Sequence, residues 1–174
     1  GGAITSSRAW VVQDFYFKVS GGNINVYNGA TLTIPPGSLV KFDPGAIIYF
    51  GFSGASTLNA VGTSLNPITF TSNASSPAAG DWQGIFFGGS TSVATIMDYC
   101  TVEYGGYTSY DSNINCNQAS PTIQHCIIRN SDGHGIYTTG SGALPLISCS
   151  TITNNVNGVY AYNNSNPTLT DCRI

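Results

Sequence analysis

Asp98 and Glu103 stand five residues apart, Asp111 follows, and His125 comes next among the groups able to move a proton. Two carboxyls at a controlled separation are what glycoside hydrolysis needs. One protonates the leaving oxygen, and the other attacks at about 5 Å or activates water at about 6.5–9.5 Å. On the outer face of one turn of chain, Asp98 and Glu103 would approach His125. The competing reading is a scatter of exposed carboxylates, which is where Asp and Glu normally sit. A lyase would instead need a calcium-binding cluster of aspartates and a base to abstract a sugar proton. Arg129 and Lys41 are the available basic residues, and no aspartate cluster surrounds either. Phe86, Tyr137 and Tyr160, flanked by Tyr162, form the aromatic candidate. Ring faces at strand spacing can hold sugar rings, or they can pack on one another and stabilise adjacent strands. Asn115 interrupts that series.

The elements that would position these residues repeat. Ala94–Val102 is echoed by Pro121–Ile128, again by Pro145–Ile152, and a fourth time by Pro167–Ile174. From Val102 to Ile128, Ile152 and Ile174 the steps are 26, 24 and 22 residues. Self-similarity at that period marks a solenoid, each repeat one coil and the core running along an axis. Helical periodicity is missing, and short alternating runs are punctuated by Gly, Asn, Ser and Pro. Ile24–Val26, Leu32–Ile34, Leu39–Phe42, Ile68–Phe70, Gly84–Phe87, Asn113–Cys116, Gly135–Thr138 and Gly158–Ala161 read as strands. The last four of these with matching patterns align as one column, with Ile85, Ile114, Ile136 and Val159 inward and Phe86, Asn115, Tyr137 and Tyr160 outward. Asn130 and Asn154 fall at one coil position, where asparagine tolerates left-handed backbone angles and can hydrogen-bond along a column. The expectation is an all-β parallel β-helix of six to seven coils, about 4.8 Å apart. It forms one domain over residues 1–174, with an N-terminal cap and first strands in 1–28 and coils in 29–174. Residues 74–80 and 105–112 read as loops. Leu169 and Ile174 would leave an open C-terminal end, so a segment of a longer chain or assembly is expected.

Composition narrows the partners. Charged residues are 7% of the chain, hydrophobic residues 41%, and the net charge is −3 with five basic side chains. No Lys/Arg stripe exists to displace counterions, which argues against nucleic acid and an anionic membrane surface. No apolar run reaches the length of a membrane span. Five cysteines are an odd number, so at least one thiol is free or paired between chains. Cys100, Cys126 and Cys172 share a repeat position, with Ser150 filling it in the third copy and Cys149 one residue earlier. They read as a column of small, soft side chains inside the solenoid. CxxC-type spacing is absent, so no metal site and no cofactor are expected. Thr31/Thr33, Thr69/Thr71, Thr151/Thr153 and Thr168/Thr170 suit exposed strand positions. A flat ice-binding face would need such pairs in every coil, and Gln124, Leu146 and Ser148 break the register. Asn73-Ala74-Ser75 and Asn163-Asn164-Ser165 are glycosylation sequons in loop-like sequence.

The run Gly29–Phe42, followed by Leu58–Thr63, Asn66–Ser72 and Gly80–Ile85, resembles bacterial right-handed parallel β-helix surface proteins of the pectate-lyase-like superfamily. The resemblance covers essentially the whole chain. It implies a right-handed β-helix and a secreted or cell-surface location, and it does not select an activity. Asp132-Gly133-His134-Gly135 resembles the Gly-His-Gly element of polygalacturonase-like hydrolases, but the paired aspartates and the partner lysine are missing. Two glycines making a bend around a solvated His134 explain the same residues. The resulting expectation is a non-catalytic extracellular structural or adhesive module, self-associating by end-to-end coil stacking. The alternative is a carbohydrate-binding protein or a polysaccharide hydrolase or lyase. Its catalytic candidates are Asp132, His134, Asp98 and Glu103, and its glycan-binding candidates are Phe86, Tyr137, Tyr160 and Tyr162.

Overall fold

A computed structural model describes residues 2–11, 16–20, 22–107 and 111–174. Its described residues contain twenty β-strands and no helix, so no helix is long and apolar enough to cross a membrane. The strands are β1 (Gly2–Ile4), β2 (Arg8–Ala9), β3 (Phe17–Val19), β4 (Ile24–Val26), β5 (Ala30–Ile34), β6 (Leu39–Phe42), β7 (Ile47–Phe50), β8 (Ser56–Val61), β9 (Ile68–Ser72) and β10 (Gly84–Phe87). They continue as β11 (Ile96–Asp98), β12 (Cys100–Glu103), β13 (Ser112–Asn117), β14 (Thr122–Gln124), β15 (Ile127–Arg129), β16 (His134–Thr139), β17 (Leu146–Ser148), β18 (Thr151–Thr153), β19 (Asn157–Tyr162) and β20 (Thr168–Thr170). Every third strand joins the same parallel sheet. Sheet A runs β1-β4-β7-β10-β13-β16-β19, sheet B β2-β5-β8-β11-β14-β17-β20, and sheet C β3-β6-β9-β12-β15-β18. The result is a parallel β-solenoid of about seven turns, in which the core fills the space between three walls.

Period-two alternation decides what enters that core. In sheet A, Ile24, Ile48, Ile85, Ile114, Ile136 and Val159 stack in register. In sheet C, Phe17, Val40, Phe70, Val102, Ile128 and Ile152 do the same. The repeat therefore extends back through the first coils. Extra residues lengthen the Val40–Phe70 and Phe70–Val102 steps to 30 and 32 residues, which obscures the period in the middle coils, while Phe17 to Val40 is an ordinary 23. Residues expected as the N-terminal cap supply β1, β2 and β3, one strand to each sheet. Phe15, part of that expected segment, lies outside the described residues. So do residues 108–110 of the loop expected over 105–112, while Ser112 itself opens β13. Trp82 sits fully buried in the loop preceding β10, stacked on Phe42 at 3.9 Å, with its indole N–H donating to Glu103 O at 2.8 Å.

The corners are made by single residues in the left-handed region. Between sheets B and C these are Tyr99, His125, Cys149 and Asp171, with φ of 48°, 50°, 48° and 52°. After sheet C they are Tyr104, Asn130 and Asn154, with φ of 65°, 56° and 54°. Such angles cost about 1–3 kcal/mol each for a residue with a Cβ, and the stacked strands on both sides hold them in place. The asparagines expected to bond along a column occupy the corner, but neighbouring asparagines make the bonds. Asn113 accepts from Gly105 N at 2.8 Å and donates to Arg129 O at 2.8 Å. Asn155 accepts from Ser131 N at 2.9 Å and donates to Ile128 O at 3.2 Å. Each side-chain amide thus joins successive coils where the backbone turns away from its ladder.

Candidate functional site

Three surfaces carry groups with chemical potential, and the coil geometry keeps them apart. Asp98 ends β11 in sheet B, while Glu103 ends β12 in sheet C, and Tyr99 turns the chain between them. The short sequence separation therefore does not make the two carboxyls one site.

At the B–C corner, Asp98 accepts from His125 Nδ1 at 2.9 Å and from Gln124 Nε2 at 2.9 Å. His125 is one coil further on, as the sequence suggested, and its ring stacks on Tyr99 at 4.6 Å and 10°. A shallow pocket of about 240 Å³ opens beside the pair, lined by Thr63, Ser64, Pro67, Thr101, His125 and Ile127 among others. An imidazole oriented by a carboxylate is half of an acid–base device. The residues flanking it supply hydroxyls and no second carboxyl.

On sheet C, Glu103 faces Arg129 in strand register. Its carboxylate accepts from Arg129 Nε at 2.8 Å and from Thr71 Oγ1 at 2.9 Å, so three successive coils meet in one buried anion. Arg129, one of the two basic residues considered for a lyase, is thus engaged by Glu103. Lys41 lies over the Tyr16 ring at 4.7 Å. Neighbouring Lys18 pairs with Asp43 at 3.2 Å, and Asp43 also accepts from Asn73 Nδ2 at 2.7 Å. The Asn73 hydrogen bond first, then the Lys18 ammonium, hold the Asp43 carboxyl below its ordinary pKa against the opposing effect of desolvation. Asn73 thus has its sequon nitrogen engaged, whereas Asn163 is exposed on a left-handed turn.

The outer face of sheet A carries the aromatic candidates. Register places Asn25, Tyr49, Phe86, Asn115, Tyr137 and Tyr160 in one outward column. Tyr49 belongs to it and was missed, because Ile47–Phe50 is a continuous apolar run with no polar alternation to flag its outward tooth. The column divides at Asn115. On one side Phe86 is 7% exposed, met edge-on by Tyr49 at 5.4 Å and by Phe52 at 6.5 Å. Phe86 is therefore packing, and Phe52, 71% exposed, is the ring that faces solvent. On the other side Tyr137 and Tyr160 stack at 5.9 Å and 14°.

His134 joins that second group and is not the solvated turn residue the sequence suggested. It opens β16, with its ring against Tyr160 at 4.6 Å and Tyr137 at 5.7 Å, both nearly parallel. Asn157 Nδ2 can only donate, so His134 Nδ1 accepts at 3.0 Å, and the opposite nitrogen faces Asp111 Oδ2 at 3.9 Å. Asp132 is exposed at the bend before the strand, and its backbone N–H donates to Gly105 O at 3.0 Å. Asp132 and His134 are thus neighbours in sequence with separate surroundings. Tyr160 and Tyr162 are 43% and 58% exposed. Asn115, between the two aromatic groups, is 6% exposed with its side-chain oxygen unpartnered among the described residues.

Among the described residues no group of three or more His, Cys, Asp or Glu side chains is arranged to hold a metal ion. A family model described as a pectate-lyase-like beta helix domain matches residues 2–128, and the chain belongs to that family. No curated protein and no solved structure gives a significant match.

Proposed function

We propose that this member of the pectate-lyase-like β-helix family is a non-catalytic structural or adhesive module of a bacterial surface protein or filament, working outside the cell. The observation that carries the reading is where the carboxylates go. Asp98 is bound to His125, Glu103 to Arg129 and Thr71, Asp43 to Lys18 and Asn73, and Asp81 to Ser72 Oγ at 2.6 Å. Most of these contacts link successive coils, so these four carboxylates help to hold the rod together.

One observation favours a second reading, a glycan-binding surface on sheet A. Tyr160 and Tyr162 present exposed ring surface beside Asn157 and Thr139, whose side chains carry hydrogen-bonding groups. The rings of Tyr137, His134 and Tyr160 stack on one another, so a sugar would meet the solvent-exposed parts of Tyr160 and Tyr162.

Incubation with a panel of plant and bacterial polysaccharides separates these readings. The structural reading expects no new reducing or unsaturated sugar ends, and their release would overturn it. Retention on a polysaccharide that Tyr160→Ala abolishes, with circular dichroism unchanged, would establish the glycan-binding reading. No retention by the parent protein would sink it. A single monomeric mass at every concentration tested by light scattering would count against end-to-end stacking.

A further inference from the structure

The cysteine column has a geometry that a purely space-filling role does not require. Thr101 pairs with Ile127 and Ile127 with Thr151, so Cys100, Cys126 and Ser150 occupy one position on successive coils. The Thr151–Arg173 bridge places Cys172 on the rung after Ser150. Each residue follows a left-handed corner and turns its side chain into the core, and Cys100 and Cys126 are both buried. Coils in parallel register rise about 4.8 Å. The two Cα atoms are thus separated by about the distance a disulfide spans, roughly 4.4–6.8 Å. Closing the bond draws the Cβ atoms together by about 1 Å, from about 4.8 Å to the disulfide mean of about 3.8 Å.

The bonds given up are weak. Cys100 Sγ donates to Ala60 O at 3.4 Å and Asp98 O at 3.5 Å, and Cys126 Sγ to Gln124 O at 3.1 Å and Met97 O at 3.6 Å. Contact with the Cys126 thiol, and then burial, push the Cys100 thiol well above its ordinary pKa, so the Cys100 sulfur is not a ready nucleophile in the folded rod. No other pair meets the requirement. Ser150 separates Cys126 from Cys172 by two rises, Cys149 is exposed at the corner, and Cys116 belongs to sheet A.

We propose that Cys100 and Cys126 are a disulfide-forming pair that staples two adjacent coils when the chain folds in the presence of a low-molecular-weight disulfide such as oxidised glutathione. In the unfolded chain one cysteine thiolate attacks the glutathione disulfide, forming a mixed disulfide and releasing one glutathione thiolate. The second cysteine, brought alongside as the coils stack, attacks the protein sulfur and releases the second glutathione. Two protein thiols are oxidised and one glutathione disulfide is reduced to two thiols. Burial then shields the finished bond from reductant.

The experiment refolds reduced, denatured protein with and without a glutathione redox buffer and titrates thiols in denaturant. Five thiols are expected without oxidant and three with it, and the oxidised protein should unfold at higher urea. Cys100→Ser and Cys126→Ser should each abolish the loss of two thiols, whereas Cys116→Ser should leave it intact. Serine already fills this column at Ser150, so both column variants fold, and far-ultraviolet circular dichroism checks that they do. Five thiols after oxidative refolding, or a loss that Cys126→Ser does not prevent, would overturn the proposal.

Discussion

Removing the Glu103–Arg129 pair tests whether the carboxylates of this chain are structural. Glu103 is about nine-tenths buried and Arg129 is roughly half exposed, with Nε 2.8 Å from the carboxylate. Exposed pairs are worth about 0.2–1 kcal/mol, and breaking a fully buried pair costs about 3–5 kcal/mol. With one partner in each regime, a coupling of about 1–2 kcal/mol is expected from a cycle of Glu103→Gln, Arg129→Gln and the double variant. The two single variants should also differ. Arg129→Gln leaves a buried carboxylate with only Thr71 to bond it, while Glu103→Gln leaves a guanidinium that water can reach. Arg129→Gln is therefore the more damaging change.

Stability in a solenoid is close to a sum of coil and interface contributions, so the readout should be local. Native-state hydrogen exchange of the β12 and β15 amides should quicken by about tenfold in Arg129→Gln, the equivalent of about 1.4 kcal/mol, while the sheet A amides of β4 and β7 stay unchanged. About 1 M salt should erode only part of the coupling, because one partner is shielded. A coupling within about 0.3 kcal/mol of zero would refute the reasoning, as would equal effects of the two single variants.

Two further outcomes follow from the same coordinates. At Gly84, φ is +111°, and a Cβ would overlap the Ser112 carbonyl oxygen and lie 2.8 Å from that of Asn113, both backbone atoms that cannot step aside. Gly84→Ala should lower the melting temperature by roughly 10 °C, from about 3 kcal/mol of strain and overlap, whereas Gly29→Ala, with φ of +76° and open space, should cost about 1 kcal/mol. Asp43 has a depressed pKa in the fold, so its stabilising contribution is complete above about pH 4 and is lost as pH falls through the lower folded value. Between pH 5 and pH 2.5 the parent should lose more melting temperature than Asp43→Asn, and equal losses would show that the Asn73 and Lys18 contacts do not hold the carboxylate.

Much of the wall pattern is legible without coordinates. Ile85, Ile114, Ile136 and Val159 align by eye and do stack, and Val102, Ile128 and Ile152 mark one rung each. The earlier rungs at Phe70 and Val40 escape notice because inserted residues change the spacing without disturbing the register, and Phe17, 23 residues before Val40, is cut off from the visible repeat by those longer steps. The candidate sites are less legible, since a corner residue such as Tyr99 sends Asp98 and Glu103 to different walls within five positions.

By itself the sequence determined the coil: alternation chose the inward teeth, the repeat length chose a solenoid, and low charge limited how many ionic contacts could exist. Tertiary structure decided which side chains meet. Phe86 and Tyr137 share one outward column, yet Phe52 reaches Phe86 and His134 reaches Tyr160 through folds of chain that no local pattern encodes. Cys100 and Cys126 are 26 residues apart and become nearest rungs only because parallel strands hydrogen-bond in register. The physical reason is the same in each case. Backbone hydrogen bonds fix the rung on which a residue lies, and packing across rungs then decides whether its side chain is a contact, a surface or a core atom.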